Sequence, residues 1–155
     1  MKIVKRILRP LAYLWASPNT ALGLLVGIIG LVGGARVRVV CGNIEFCGGW
    51  LRYAGTWSFI SRRISAITLG HVILGVSQEV LVELREHENA HVRQYERWGP
   101  LFVPAYGLSS LWQAICGRDP YMENHFERQA FSEAAQRAWR PDHSLKAGGH
   151  DVPRI

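Results

Sequence analysis

His87-Glu88-Asn89-Ala90-His91 constrains the fold of this chain more tightly than any other stretch. Histidines four residues apart lie one turn apart on one face of a helix, where both imidazoles can reach a single metal ion. Glu88 projects beside them, placed to take a proton from metal-bound water. The helix is expected from about Gln78 to Trp98, with Ser77 as N-cap and Gly99-Pro100 as the stop. On its wheel Val80, Leu84, His87, His91, Tyr95 and Trp98 share one face. Glu79, Glu83, Glu86, Asn89, Arg93 and Arg97 share the other. The histidines thus fall in the stripe that faces the core. Two buried imidazoles with an acid between them need a partner, and a bound cation supplies one.

A chain of 155 residues is long enough for one domain with its own core. Ala66 to Gly75, β-branched and bounded by glycine, reads as a strand leading directly into the motif helix. His71 within it is expected to be structural. Ala35 to Phe46 reads as a hairpin turning at Gly42-Asn43. Leu101 to Cys116 is expected to be a helix packed on the motif helix, or an interfacial element. The last helix runs from Tyr121 or Asn124 to about Trp139, with Ala130, Ala134 and Ala138 on one small-residue face. These elements give an α+β domain over 35–139. Its small antiparallel or mixed sheet packs an edge strand on the motif helix, and a C-terminal helix brings a further ligand. The polar tail, 140–155, is expected to be disordered.

Residues 1–34 stand apart. No charged residue occurs from Leu11 to Ala35, and Lys2, Lys5, Arg6 and Arg9 precede the run. Its length matches a bilayer crossing. Pro18 should interrupt it, with Asn19 or Thr20 capping a second helix from Ala21 to about Val32. A kinked membrane anchor, an export signal and a helix buried in the domain all fit, and lipid contact through residues 11–34 is the reading favoured. The net charge of +6 fits anionic lipid better than nucleic acid, because no stripe of basic residues interleaved with aromatics occurs elsewhere. Cys41, Cys47 and Cys116 form no C-x-x-C pair and are expected to be buried or half-buried free thiols in a reduced compartment. The location is therefore read as membrane-associated or cytoplasmic.

Catalytic zinc sites usually have three protein ligands, so a third is needed. Gln94 and Arg97 occupy the positions where a metzincin-type extension would put glycine and histidine, which excludes that class. Asp119, Glu123 and Glu127 remain. Glu127 shares the small-residue face of the last helix and is preferred for that reason, with Glu123 and Asp119 in reserve. Asn124 and Glu127 could instead form a capping box.

His87-Glu88-x-x-His91 followed by Glu127-x-x-Ala130 on a second helix resembles the gluzincin branch of zinc metallopeptidases. His91-x-x-Gln94, Trp98-Gly99-Pro100 and Asp119-Pro120-Tyr121 resemble small bacterial proteins of that branch. The resemblance covers about Ala66 to Trp139. It implies a zincin-like fold, Zn2+ held by His87, His91 and Glu127, and Glu88 as general base in peptide-bond hydrolysis. It also implies that the strand before the motif helix aligns an extended peptide or protein substrate. Tyr121, His125 and Arg128 are candidates to polarise the substrate carbonyl. A non-catalytic zinc- or peptide-binding module of the same shape, possibly attached to a membrane, is the alternative. An adaptor with packed, metal-free histidines is the third reading.

Overall fold

The computed structural model describes residues 2–54 and 65–139. The expected tail, Arg62-Arg63 and most of the aromatic stretch after Trp50 lie outside them. The chain is α+β. It begins with α1 (Lys2–Val32), β1 (Ala35–Val40), β2 (Asn43–Gly48) and the single turn α2 (Leu51–Ala54). After residue 64 come β3 (Ala66–Leu69), β4 (Val72–Gly75), α3 (Gln78–Glu83) and α4 (Arg85–Trp98). A 3-10 turn over Gly99–Leu101 leads to α5 (Phe102–Ile115) and α6 (His125–Ala138).

The strands form one mixed sheet in the order β1-β2-β4-β3. β2 and β4 pair in parallel, Ile44 opposite Val72, and the outer pairs are antiparallel. β1 and β3 are therefore its edges.

Both hairpins differ from the sequence expectation. The first turns at Cys41-Gly42, with φ of 53° and 86°, so Asn43 opens β2 opposite Val40. Two consecutive positive φ values define the type I′ turn that suits the strand twist. Asn43 is held in the strand because its buried amide donates to Asn89 Oδ1 on α4 at 2.8 Å. Cys41 and Cys116 are exposed, contrary to expectation, whereas Cys47 is buried; all three are free. The expected strand Ala66–Gly75 is two strands joined by a turn at Gly70-His71. Gly70 takes φ 62°, and a Cβ there would run into Thr20. Apolar residues on both sides of this tight turn hide it from a hydropathy pattern.

The N-terminal helix does not break at Pro18. Proline leaves the carbonyl four residues earlier without its helical donor. Here that carbonyl belongs to Leu14, and Ser17 Oγ donates to it at 2.7 Å. Asn19 and Thr20 are not caps. Asn19 donates to the Gly99 carbonyl at 3.1 Å, and Thr20 Oγ1 accepts from the His71 backbone N–H at 3.1 Å. α1 lies across the sheet, with Gly23 against Val72 and Leu69 and Gly27 against the Phe46 ring. Ala16 joins Tyr95, Phe102 and Phe126 in a second core cluster. The segment 1–34 thus shares its core with the residues that follow.

The motif helix is also divided. Leu84, at φ −87° and ψ 1°, separates α3 from α4. Ser77 caps α3 as expected, its side chain accepting from the Val80 N–H. Leu81, rather than Val80 or Leu84, fills the core there. Along α4 the buried set is His87, Glu88, Ala90, His91, Val92, Gln94 and Tyr95, whereas Trp98 is exposed. The two arginines flanking the motif turn away from the histidines: Arg85 meets Glu45 and Arg93 meets Glu133.

Candidate metal centre

Two helices supply the cluster. α4 presents His87 and His91 one turn apart. α6 begins at Asn124, whose side chain accepts from the Phe126 N–H, so Glu127 sits in its first turn. Ala130, fully buried one turn later, lets α6 approach α4 closely. Of the alternative capping box only the Asn124 N-cap is present, because the Glu127 carboxylate turns to the histidines. His87 Nε2 lies 3.2 Å from Glu127 Oε2, and His91 Nε2 lies 3.4 Å from Glu127 Oε1. The two Nε2 atoms are 3.1 Å apart. All three residues are buried and together could hold a metal ion.

The spacing tests that fit. An ion with tetrahedral bonds of about 2.0–2.1 Å keeps its ligand atoms about 3.3–3.4 Å apart. The two Nε2 atoms, 3.1 Å apart, approach that spacing, and each faces its own oxygen of the Glu127 carboxylate, at 3.2 and 3.4 Å. Glu127 Oε2 is buried and makes no hydrogen bond, as expected of an oxygen reserved for a cation.

The surrounding bonds orient the donors. Gln94 Nε2 donates to the Phe126 carbonyl at 2.9 Å, which leaves Gln94 Oε1 facing His91 Nδ1 at 2.9 Å. That oxygen can only accept, so Nδ1 carries a proton and Nε2 is the nitrogen turned toward Glu127. Tyr106 donates to Glu127 Oε1 at 2.8 Å. Burial alone would raise the Glu127 pKa, but the adjoining His87 and His91 rings and the Tyr106 hydroxyl bring it down to about 2. Burial disfavours a charge on His91, and Glu127, Glu88 and Gln94 outweigh it to raise that pKa. Burial, then the Glu127 charge, pushes the Tyr106 and Tyr121 hydroxyls well above their ordinary range. The cluster thus attracts positive charge.

Glu88 lies beside the cluster, and its Oε2 accepts from Thr68 Oγ1 at 2.6 Å. The site opens into a cleft of about 230 Å³. β3 forms one wall; Tyr95, Phe102, Val103, Tyr106 and Tyr121 form much of the rest.

Every residue read from the motif therefore comes together: His87, Glu88, His91 and Glu127. The reserve acids do not. Asp119 Oδ1 accepts from the Tyr121 and Met122 N–H groups, and Glu123 meets Arg128 at the surface. Of the three candidates to polarise a carbonyl, Tyr121 lines the cleft, whereas His125 and Arg128 do not. His71 is structural: its ring stacks on Tyr13 and meets Glu96 at 3.3 Å. Thr68, Tyr106 and the orienting role of Gln94 had no local sequence signal, since each depends on contact between distant elements.

No family model matches this chain, and no curated protein or solved structure matches it significantly.

Proposed function

We propose that the protein is a zinc-dependent peptidase of gluzincin type. The observation carrying this reading is the convergence of His87 Nε2, His91 Nε2 and the Glu127 carboxylate in one buried cluster able to hold a metal ion, with Glu88 beside them. The donor set of two imidazoles and one carboxylate leaves one tetrahedral position for water or substrate, the pattern of catalytic zinc. Zinc, when bound there, supplies a Lewis acid that brings the ionisation of water toward neutral pH and polarises a carbonyl.

The chain's own groups do the rest. Glu88, oriented by the Thr68 hydroxyl, accepts the proton of the attacking water and delivers it to the leaving amine. Among the described residues no strand pairs with the outer edge of β3, which lines the cleft, so an extended peptide can pair with it and bring one carbonyl to the cluster. Tyr106 and Tyr121, un-ionised across the neutral range, offer hydroxyl donors to a developing oxyanion. The aromatic walls around them exclude water from the reacting bond.

Metal analysis of untagged protein, paired with a peptide-library cleavage assay of wild type and Glu88→Gln, tests this. One zinc per chain in both proteins, with cleavage only by wild type, is the expected result. Equal cleavage by Glu88→Gln overturns the mechanism. Stoichiometric zinc with no cleavage by wild type points to a non-catalytic binding module, and absence of metal overturns the metal centre.

A further inference from the structure

We propose that the protein docks in the plane of an anionic lipid bilayer through the outward face of α1 together with α5, and that α1 does not cross the membrane. Pro10–Val32 has the length and apolar character of a span, yet only 22% of its most apolar window is buried. Leu14, Leu22, Leu25, Ile29 and Val32 are all exposed and recur at helical spacing. α5 repeats the pattern, because Leu108, Leu111, Trp112 and Ile115 are exposed at intervals of three and four residues. Solvated proteins rarely leave apolar surface on this scale uncovered.

Charge identifies the cover. Lys2, Lys5, Arg6 and Arg9 lie in the first turns of α1, and Arg36 and Arg38 follow its end. Arg36 and Arg38 share the sheet face of Cys47 and Glu45, away from α1, so it is the basic leader that suits a surface of anionic headgroups over acyl chains.

The packing of α1 sets its orientation. Its inner face is engaged along its length, from Ala16 in the aromatic cluster, through Gly23 and Gly27 on the sheet, to Gly30 beside Ala35 and Leu51. β1 runs back alongside it, so the Cys41-Gly42 turn comes near the Tyr13 hydroxyl. β1 is an edge strand, and Arg36 and Arg38 on it are exposed. Were α1 to cross, the β1 edge, on which no described strand pairs, would be carried to hydrocarbon depth, where unpaired backbone groups are not tolerated. Lying flat, α1 and α5 sink their apolar stripes while the sheet stays in water.

The test uses the full chain with phosphatidylcholine vesicles, with or without about one third phosphatidylglycerol. Co-sedimentation should be strong on the anionic vesicles and fall about tenfold for Leu108→Ser/Leu111→Ser/Ile115→Ser, with circular dichroism unchanged. Trp112→Ser alone serves as the milder variant and should lose a smaller part. For orientation, a protease-cleavable tag before Met1 and thiol labelling of Arg36→Cys, beyond the other end of α1, in a Cys41→Ser/Cys116→Ser background are read from outside the vesicles. Both sites should react. Reaction at only one means that α1 crosses and overturns the in-plane reading. Wild-type binding by folded α5 variants removes α5 from the surface. A stable dimer that ignores both vesicle types shows that a second copy covers the face, and overturns the proposal.

Discussion

The Thr68 hydroxyl donates to Glu88 Oε2 over 2.6 Å, tying the edge strand β3 to the motif helix α4. Both residues are buried, and a hydrogen bond to a carboxylate is stronger than one between neutral groups. Thr68→Val keeps the shape but leaves a buried carboxylate oxygen unpaired. The expected loss is about 1–3 kcal/mol in urea unfolding. Thr68→Ser should recover most of it. Equal stability of wild type and the valine variant would show that the bond contributes nothing.

Metal removal should destabilise the protein. A ligand that binds only the folded state adds about 4 kcal/mol when its free concentration is 1,000 times Kd. Thermal unfolding with excess zinc and then with chelator should differ by an amount of this order for wild type and Glu88→Gln. His91→Ala and Glu127→Gln should show no zinc-dependent shift. The same melting temperature in wild type with and without metal would contradict a zinc-binding cluster.

The centre was legible because its signal is local. Spacing of four places His87 and His91 on one face, and the Ala130 face marks the side of α6 that approaches another helix. The α+β class followed from the order of apolar runs. What escaped depends on side-chain hydrogen bonds that the hydropathy pattern does not carry. Pro18 stays in a helix because Ser17 replaces the missing donor to Leu14. The Gly70-His71 turn lies inside a continuous apolar run and is fixed by Thr20, fifty-one residues from His71. Asn43 leaves its turn for a partner on α4. At Pro18 a side-chain bond within the helix, and in the other two cases a tertiary hydrogen bond, overrides the local propensity.

Two glycines in different surroundings should respond with opposite signs. Gly23 lies in α1 where a Cβ would come within 2.7 Å of Val72 Cβ and 3.0 Å of the Leu69 carbonyl oxygen. Gly23→Ala should cost about 1–3 kcal/mol, since sheet and helix must separate. A Cβ at Gly107, inside α5, meets nothing within 4 Å. Gly107→Ala should stabilise by about 0.4–1 kcal/mol, by restricting the unfolded chain. Denaturant midpoints of the two variants check both signs.

A carboxylate outside the centre should leave a pH signature. Arg93 Nε on α4 donates to Glu133 Oε2 on α6 at 2.9 Å. Burial would raise the Glu133 pKa, but Arg93 and Gln129 more than offset this and lower it from 4.5. A depressed folded pKa stabilises above the unfolded value, and that contribution disappears as pH falls through the folded one. Because both partners are partly solvated, it should be about 0.2–1 kcal/mol. Wild type should therefore exceed Glu133→Gln in stability at pH 7, and the two should converge as pH falls below 4.5. A gap that persists in acid would assign the effect to packing instead.

Gln94 offers the sharpest separation of structure from metal chemistry. It is 1% exposed and spans α4 and α6 by donating to the Phe126 carbonyl while accepting from His91 Nδ1–H. Groups that orient a ligating histidine typically change metal affinity by about 10–100-fold when removed. Gln94→Glu keeps the size and the acceptor toward His91 but has no donor for the Phe126 carbonyl, so it should lose stability while retaining zinc. Gln94→Met keeps the volume without the strong acceptor, so zinc affinity should fall by about that 10–100-fold. Competition with a fluorescent zinc chelator reads affinity, and urea unfolding of the metal-free proteins reads stability. If both variants weaken zinc binding only in proportion to lost stability, Gln94 is a packing residue and has no separate influence on His91.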